Sequence, residues 1–231
     1  EMEKQTGKTV YVLEQFLYNP QLPVMKKIID GKQLGEFVSF ERTTHYLMDS
    51  SNEGYGQTQW RRKSDFPLGH IYDGGVHEIA LLNELFGMPE AVFADIATLR
   101  KDSKVDDYFI IHLLRPSKAP EVKITLKSSY LMCASEPRFV LHGREGSYVK
   151  YGFDPQEAAL TEGVLPGTPH WGEEDKSSWG LLYTEKDGRI VHEPYPSLPG
   201  DYAAFYENIY RHIHTANLCR AMPARWSESS A

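Results

Sequence analysis

Cysteine is nearly missing from this chain: Cys133 and Cys219 are the two in 231 residues. They lie far apart with no partner motif, which suits reduced thiols in a cytoplasmic protein and leaves no disulfide framework. No apolar run approaches the ~20 residues that a bilayer-spanning helix needs, and no signal peptide opens the sequence, so no membrane role is expected. Positive charge is short as well. The 25 Lys and Arg against 32 Asp and Glu leave a formal charge of −7. Lys26-Lys27 and Arg61-Arg62-Lys63 are only short runs, so a nucleic-acid partner is excluded. Nine histidines are present, yet neither His212-x-His214 nor the His70 and His77 spacing fits a standard zinc set. No internal repeat occurs. Gly-x-Gly-x-x-Gly, the turn that cradles a dinucleotide pyrophosphate, occurs nowhere.

What is present reads as one large globular domain, with 41% hydrophobic and 25% charged residues. The most informative stretch is Gly69-His70-Ile71-Tyr72-Asp73-Gly74-Gly75-Val76-His77. The apolar run behind it (Ile79, Leu82, Leu85, Phe86) is closed by Gly87 and Pro89, which predicts a helix from about Gly74 to Phe86. Residues four apart share a helix face, so Asp73 and His77 can meet. An imidazole beside a carboxylate suits removing a proton from an alcohol. A plainer role exists for both: Asp73 as N-cap and His77 as a satisfied core histidine.

The rest of the chain alternates helical and strand-like segments. A strand is expected from Val10 to Phe16. Pro20 and Pro23 then open a helix with Leu22, Met25, Ile28 and Ile29 inward, stopped by Gly31. Glu36 to Thr44 reads as a strand, and Tyr46 to Phe66 as a long polar loop. Strands follow at Glu90 to Leu99, Asp107 to Leu114, Val122 to Tyr130 and Arg138 to His142. In the third, Val122, Ile124 and Leu126 alternate with Lys123, Thr125 and Lys127, the pattern of a sheet buried on one face. Ser147 to Tyr151 continues the sheet, and Asp154-Pro155 opens a short helix. Gly180 to Thr184 and Arg189 to Glu193 pair around Asp187-Gly188. Tyr202, Phe205, Tyr206, Ile209 and Ile213 trace one face of a last helix. The sum is α+β: a large, mostly antiparallel open sheet with helices on one face.

The frame Asp-x-Gly-x-His, with Leu85-Phe86-Gly87 at its helix end, resembles the substrate domain of the Gfo/Idh/MocA family of NAD(P)-dependent sugar and polyol oxidoreductases. The segments Val12 to Pro20, Leu34-Gly35-Glu36, Val105 to Phe109 and Phe139 to Glu157 are similar to it too, the last two to the branch with the scyllo-inositol dehydrogenases. Ala80 departs from the pattern, since an Asp often stands there. The resemblance makes residues 1–16 the remnant of a crossover from a nucleotide-binding domain that these residues lack, and 17–231 the substrate and dimerisation domain.

From the resemblance follow the expectations about chemistry. His77 would act as general base, kept neutral by a helix N-terminus. Asp73 would hold the ring's tautomer. Trp60, Arg61, Arg62, His70 and Tyr72 are candidates for contact with a sugar or polyol, and Gln15 and Tyr18 for contact with nicotinamide. NAD or NADP would serve the full-length protein, while this chain by itself is expected to bind neither. A homodimer is expected through the open sheet face, on Phe93, Ile111 and Leu113 or their neighbours. A non-catalytic ligand-binding or dimerisation module derived from such an enzyme is the alternative.

Overall fold

The computed structural model describes residues 5–45, 69–101 and 103–215. Its strands are β1 (Phe37–His45), β2 (Pro89–Ala97), β3 (Tyr108–Pro116), β4 (Lys123–Ser129), β5 (Phe139–Gly143), β6 (Gly146–Lys150), β7 (Gly180–Lys186) and β8 (Arg189–Tyr195). They form one sheet in the order β2-β3-β4-β1-β5-β6-β7-β8. Every pairing is antiparallel except β1 with β4, where Phe40 faces Ile124 and Arg42 faces Leu126. The helices are α1 (Gln21–Asp30), α2 (Val76–Phe86), α3 (Pro155–Thr161) and α4 (Ala203–Thr215). The expected α+β architecture stands.

One face of the sheet is dry. Phe40, Phe109, Ile111, Leu113, Ile124, Leu126 and Leu141 project from it against Leu22, Met25 and Ile28 of α1 and Leu81, Leu82 and Phe86 of α2. The alternation expected in β4 is real: Val122, Ile124 and Leu126 are in the core. In the next strand the expected facing is reversed. Ile111 and Leu113 are only 3% and 4% exposed, because in β3 they share the face of buried Phe109. The outward residues there are Ile110 and His112, and His112 stacks on Phe93 of β2 at 6.0 Å between ring centroids.

The hairpin between β7 and β8 turns at Asp187 and Gly188, with φ of 54° and 74°. Positive φ at both positions is the type I′ turn that Asp-Gly favours, since glycine adopts that region without strain. The segment before β7 is pinned inward by Lys150 and Glu174, paired at 2.8 Å with both side chains 2% exposed. Gln21 of α1 donates to the same carboxylate.

Two expectations fail near the ends. Val10 to Phe16 is not a strand. It runs without regular structure to Glu14 and then forms a 3-10 turn, Gln15–Tyr18, started by the Leu17 N–H donating to the Glu14 carbonyl. In α4 only Phe205 of the expected apolar face is buried, while Tyr206 and Ile213 are exposed. That helix packs on the N-terminal segment, where Phe205 meets Tyr18 in a small cluster joined by Tyr11 and Leu17.

Candidate active site

The helix carrying the motif begins earlier than its glycines suggest. A π-helical turn, Ile71–Gly75, runs straight into α2, and His70 ahead of it is already helical. Asp73 is therefore inside a helical turn and is not the N-cap. Asp106 takes that role from another segment: its carbonyl accepts the His70 N–H and its carboxylate the Ile71 N–H, both at 2.8 Å. Gly69 is required by this approach, since a Cβ there would lie 1.6 Å from the Asp106 carboxylate. The early start also places His77 beyond the first turn, so the helix dipole no longer sets its charge state. Such a π-turn inside a helix is a common device at functional sites.

Behind the motif, Glu78 is drawn out of water and answered by Arg42 of β1. The guanidinium grips both carboxylate oxygens, and Thr44 Oγ1 donates to one of them at 2.6 Å. Arg42 also lies over the Phe139 ring at 4.2 Å. This anchor fixes α2 against the sheet at the residue next to His77.

His77 bonds through Nδ1 to Glu14 Oε2 at 2.8 Å, and its ring lies 5.2 Å from that of Phe16. The partner of Nδ1 is thus Glu14, where Asp73 was expected. The Glu14 hydrogen bond raises the His77 pKa against the desolvation of its partial burial, with Glu78 and Asp73 adding smaller pulls in the same direction. Nε2 has no hydrogen-bond partner among the described residues. Asp73 accepts from the Tyr130 hydroxyl at 3.2 Å.

His70 is buried with its ring 3.8 Å from that of Tyr130. Ser128 donates its hydroxyl proton to the Thr44 carbonyl, so the 2.5 Å contact between His70 Nε2 and Ser128 Oγ has Nε2–H as donor. Burial pushes the His70 pKa down to about 4, which keeps the ring neutral at ordinary pH.

These side chains wall a cavity of about 490 Å³ that also takes in Gln15, Phe16, Phe153, Asp154 and Glu157. Asp154 caps α3 by accepting the Gln156 N–H, and burial raises its carboxyl above the usual range. The structure gathers Asp73, His77, His70 and Gln15 of the expected set. Tyr72 stands apart on the outer side of the π-turn, 64% exposed. Tyr18 is outside the cavity wall too: it packs on Phe205, and its hydroxyl accepts from Asn208. Trp60, Arg61 and Arg62, with the loop expected from Tyr46 to Phe66, lie outside the described residues. Sequence reasoning missed Glu14, Tyr130 and the Arg42–Glu78 pair. Glu14 carried a signal, a lone acid inside the apolar run from Val10 to Phe16. Among the described residues no cluster of His, Cys, Asp and Glu could hold a metal ion, and no helix is long and apolar enough to cross a membrane.

The site is thus a helix-borne imidazole over a polar cavity, on an open, mostly antiparallel sheet. The profile of the oxidoreductase family's C-terminal alpha/beta domain matches residues 26–221, and the chain belongs to this Gfo/Idh/MocA family. It is 32% identical to the uncharacterised oxidoreductase YhhX of Escherichia coli over 213 residues, 92% of this chain and 58% of that protein. It is 34% identical to the scyllo-inositol 2-dehydrogenase (NADP(+)) IolW of Bacillus subtilis over 157 residues, 68% of this chain and 43% of that protein. A crystal structure of a candidate oxidoreductase from Bacteroides fragilis superposes with a TM-score of 0.81 at 44% identity, covering 96% of this chain and 61% of that one. The chain thus spans about half the length of the relatives it matches.

Proposed function

We propose that these residues form the substrate-binding half of an NAD(P)-dependent oxidoreductase acting on a secondary alcohol of a sugar or polyol, of the inositol kind. The observation that carries the reading is His77, tied through Nδ1 to Glu14 at 2.8 Å while Nε2 stays available on the cavity wall. A cavity of about 490 Å³ is in the range that takes a small ligand. Its acceptors, Asp73, Asp154 and Glu157, suit hydroxyl donors, and the rings of Phe16 and Phe153 suit the apolar face of a sugar. The substrate and cofactor in the name of the Bacillus subtilis relative support the same class.

Gln15 and Phe16 offer the wall an amide and a ring, which fits a nicotinamide. The sequence has no Gly-x-Gly-x-x-Gly pattern of the kind that cradles a dinucleotide pyrophosphate. A nicotinamide cofactor, when bound, supplies the acceptor for hydride from the carbinol carbon. His77 Nε2 takes the hydroxyl proton as the C–O bond becomes a carbonyl, and the imidazolium formed lies against Glu14. Asp73, held by Tyr130, accepts from a neighbouring hydroxyl and orients the ring.

Titration of the chain with scyllo-inositol, followed by backbone amide shifts, tests the reading. Shifts clustered at Asp73, Gly74, His77 and Tyr130 are expected, and silence there at tens of millimolar overturns it. Calorimetry with NADPH should find no binding tighter than millimolar, and micromolar binding would show a nucleotide site within these residues.

A further inference from the structure

We propose that Glu14 is the positioning residue for His77, fixing the tautomer that leaves Nε2 as proton acceptor and aiming Nε2 into the cavity. The inference rests on reading His77 as the base, and assigns to the crossover segment the part that the helical spacing suggested for Asp73.

The protonation logic is simple. An ionised carboxylate has only acceptor sites, so its 2.8 Å contact with Nδ1 requires the proton to be on Nδ1. A neutral imidazole carries one N–H, and Nε2 is then bare. In the other tautomer two lone pairs would face each other across that distance, so Glu14 selects one form of the ring and excludes the other. Asp73 is engaged elsewhere, with the Tyr130 hydroxyl at 3.2 Å.

Glu14 is also held where it can do this. Its carbonyl accepts the Leu17 N–H at 3.1 Å, which starts the 3-10 turn, and Leu17 packs against the core. Phe16, from the same turn, lies 5.2 Å from the imidazole and blocks rotation of the ring from one side. The two side chains are 19% and 25% exposed, so the bond is partly shielded from water. The charged groups around the ring come from each element packed on it: Glu14 from the turn, Asp73 from the π-turn, and Glu78 from α2 itself. Glu78 is already matched by Arg42. The raised pKa of His77, with the Glu14 hydrogen bond as its largest cause, accords with this arrangement. When Nε2 gains a proton the pair passes from one net negative charge to none, which eases charging the ring in a partly dry site.

The test is titration of the His77 ring by NMR in the 231-residue chain, assigned by its loss in His77→Asn. In the unaltered chain the midpoint should stand above the ordinary 6.5. Glu14→Gln should move it down, Glu14→Asp should restore part of the shift, and Asp73→Asn should move it less than Glu14→Gln does. An unchanged midpoint in a folded Glu14→Gln, or a larger drop in Asp73→Asn, overturns the proposal. Should Glu14→Gln fail to fold, Glu14→Asp and Asp73→Asn still decide by their order: a larger drop with Asp73→Asn overturns it. The titration needs no substrate. Loss of the catalytic reading, through full turnover in His77→Ala of the two-domain enzyme, is therefore a separate outcome.

Discussion

Arg42 and Glu78 meet in a two-pronged ion pair with 1% and 2% of their side chains exposed, at the residue adjoining His77. Two charges this dry are tolerated only together. Glu78→Ala should lower stability by about 3–5 kcal/mol, the usual cost of stranding a buried charge. Urea unfolding measures it. The joint change Arg42→Met with Glu78→Leu should cost much less than either alone, and single changes below about 1 kcal/mol would mean that water reaches the pair.

His77→Ala, in a protein that contains the nucleotide-binding half as well, should reduce turnover by about 10²–10⁴, the usual worth of a general base. Alcohol oxidation needs the neutral ring, so its rate should fall as pH drops through the raised His77 pKa. Carbonyl reduction needs the charged ring and should fall as pH rises through it. Steady-state kinetics in both directions reads the two limbs, and turnover that survives while the melting temperature collapses would make His77 a core residue.

His70 predicts a pH dependence of stability with a fixed sign. Its pKa is about 4 when folded against 6.5 for the free side chain, so below pH 6.5 the unfolded chain binds the proton that the folded one refuses. Stability from this group is complete above pH 6.5 and drains away toward pH 4, by on the order of 3 kcal/mol. His77 has the opposite sign, contributing at low pH and losing its contribution as pH rises through its raised folded pKa. Unfolding midpoints compared at several pH values, with His70→Gln as control, should show the His70 slope vanish in the variant.

Assembly is the fourth expectation. We infer a homodimer through the open sheet face, where Phe93 is 63% exposed beside His112, and where a broad hollow of about 810 Å³ runs across His142, Ser147 and Tyr183. Phe93→Asp should split the dimer without unfolding the domain, whereas a charge at Ile111 should unfold it, because Ile111 faces the helices. Light scattering settles the point: a monomer of 26.4 kDa at micromolar concentration in the unaltered chain sinks the inference.

How much of this could be read from the residues depended on range. Strand β4 was legible because its two faces meet different surroundings, and the β7–β8 hairpin because Asp187-Gly188 encodes its own turn. The motif helix was legible from its apolar stripe, but its true start was not, since the cap comes from Asp106 in another segment. For the same reason the spacing suggested an Asp73–His77 contact, while the hydrogen bond to Nδ1 comes from Glu14, 63 positions earlier. Facing errors at Ile111 and Tyr206 share a cause: an apolar residue in a run says that one side is covered, and its neighbours decide which.

The placing of β1 has a kinetic consequence. The strand comes first in the chain yet lies between β4 and β5, paired parallel to one and antiparallel to the other. On either side of it the strands follow in sequence order, β2-β3-β4 and β5-β6-β7-β8, and the longest link within either set is residues 151–179, which carry α3 between β6 and β7. Local pairings close quickly, whereas a strand waiting for partners some eighty or more positions downstream closes slowly. Two meanders can therefore form early and independently, with β1 as the seam that welds them. The Arg42 and Thr44 side chains on that seam hold Glu78, which ties the helix carrying His77 to the strand whose pairings reach furthest along the chain.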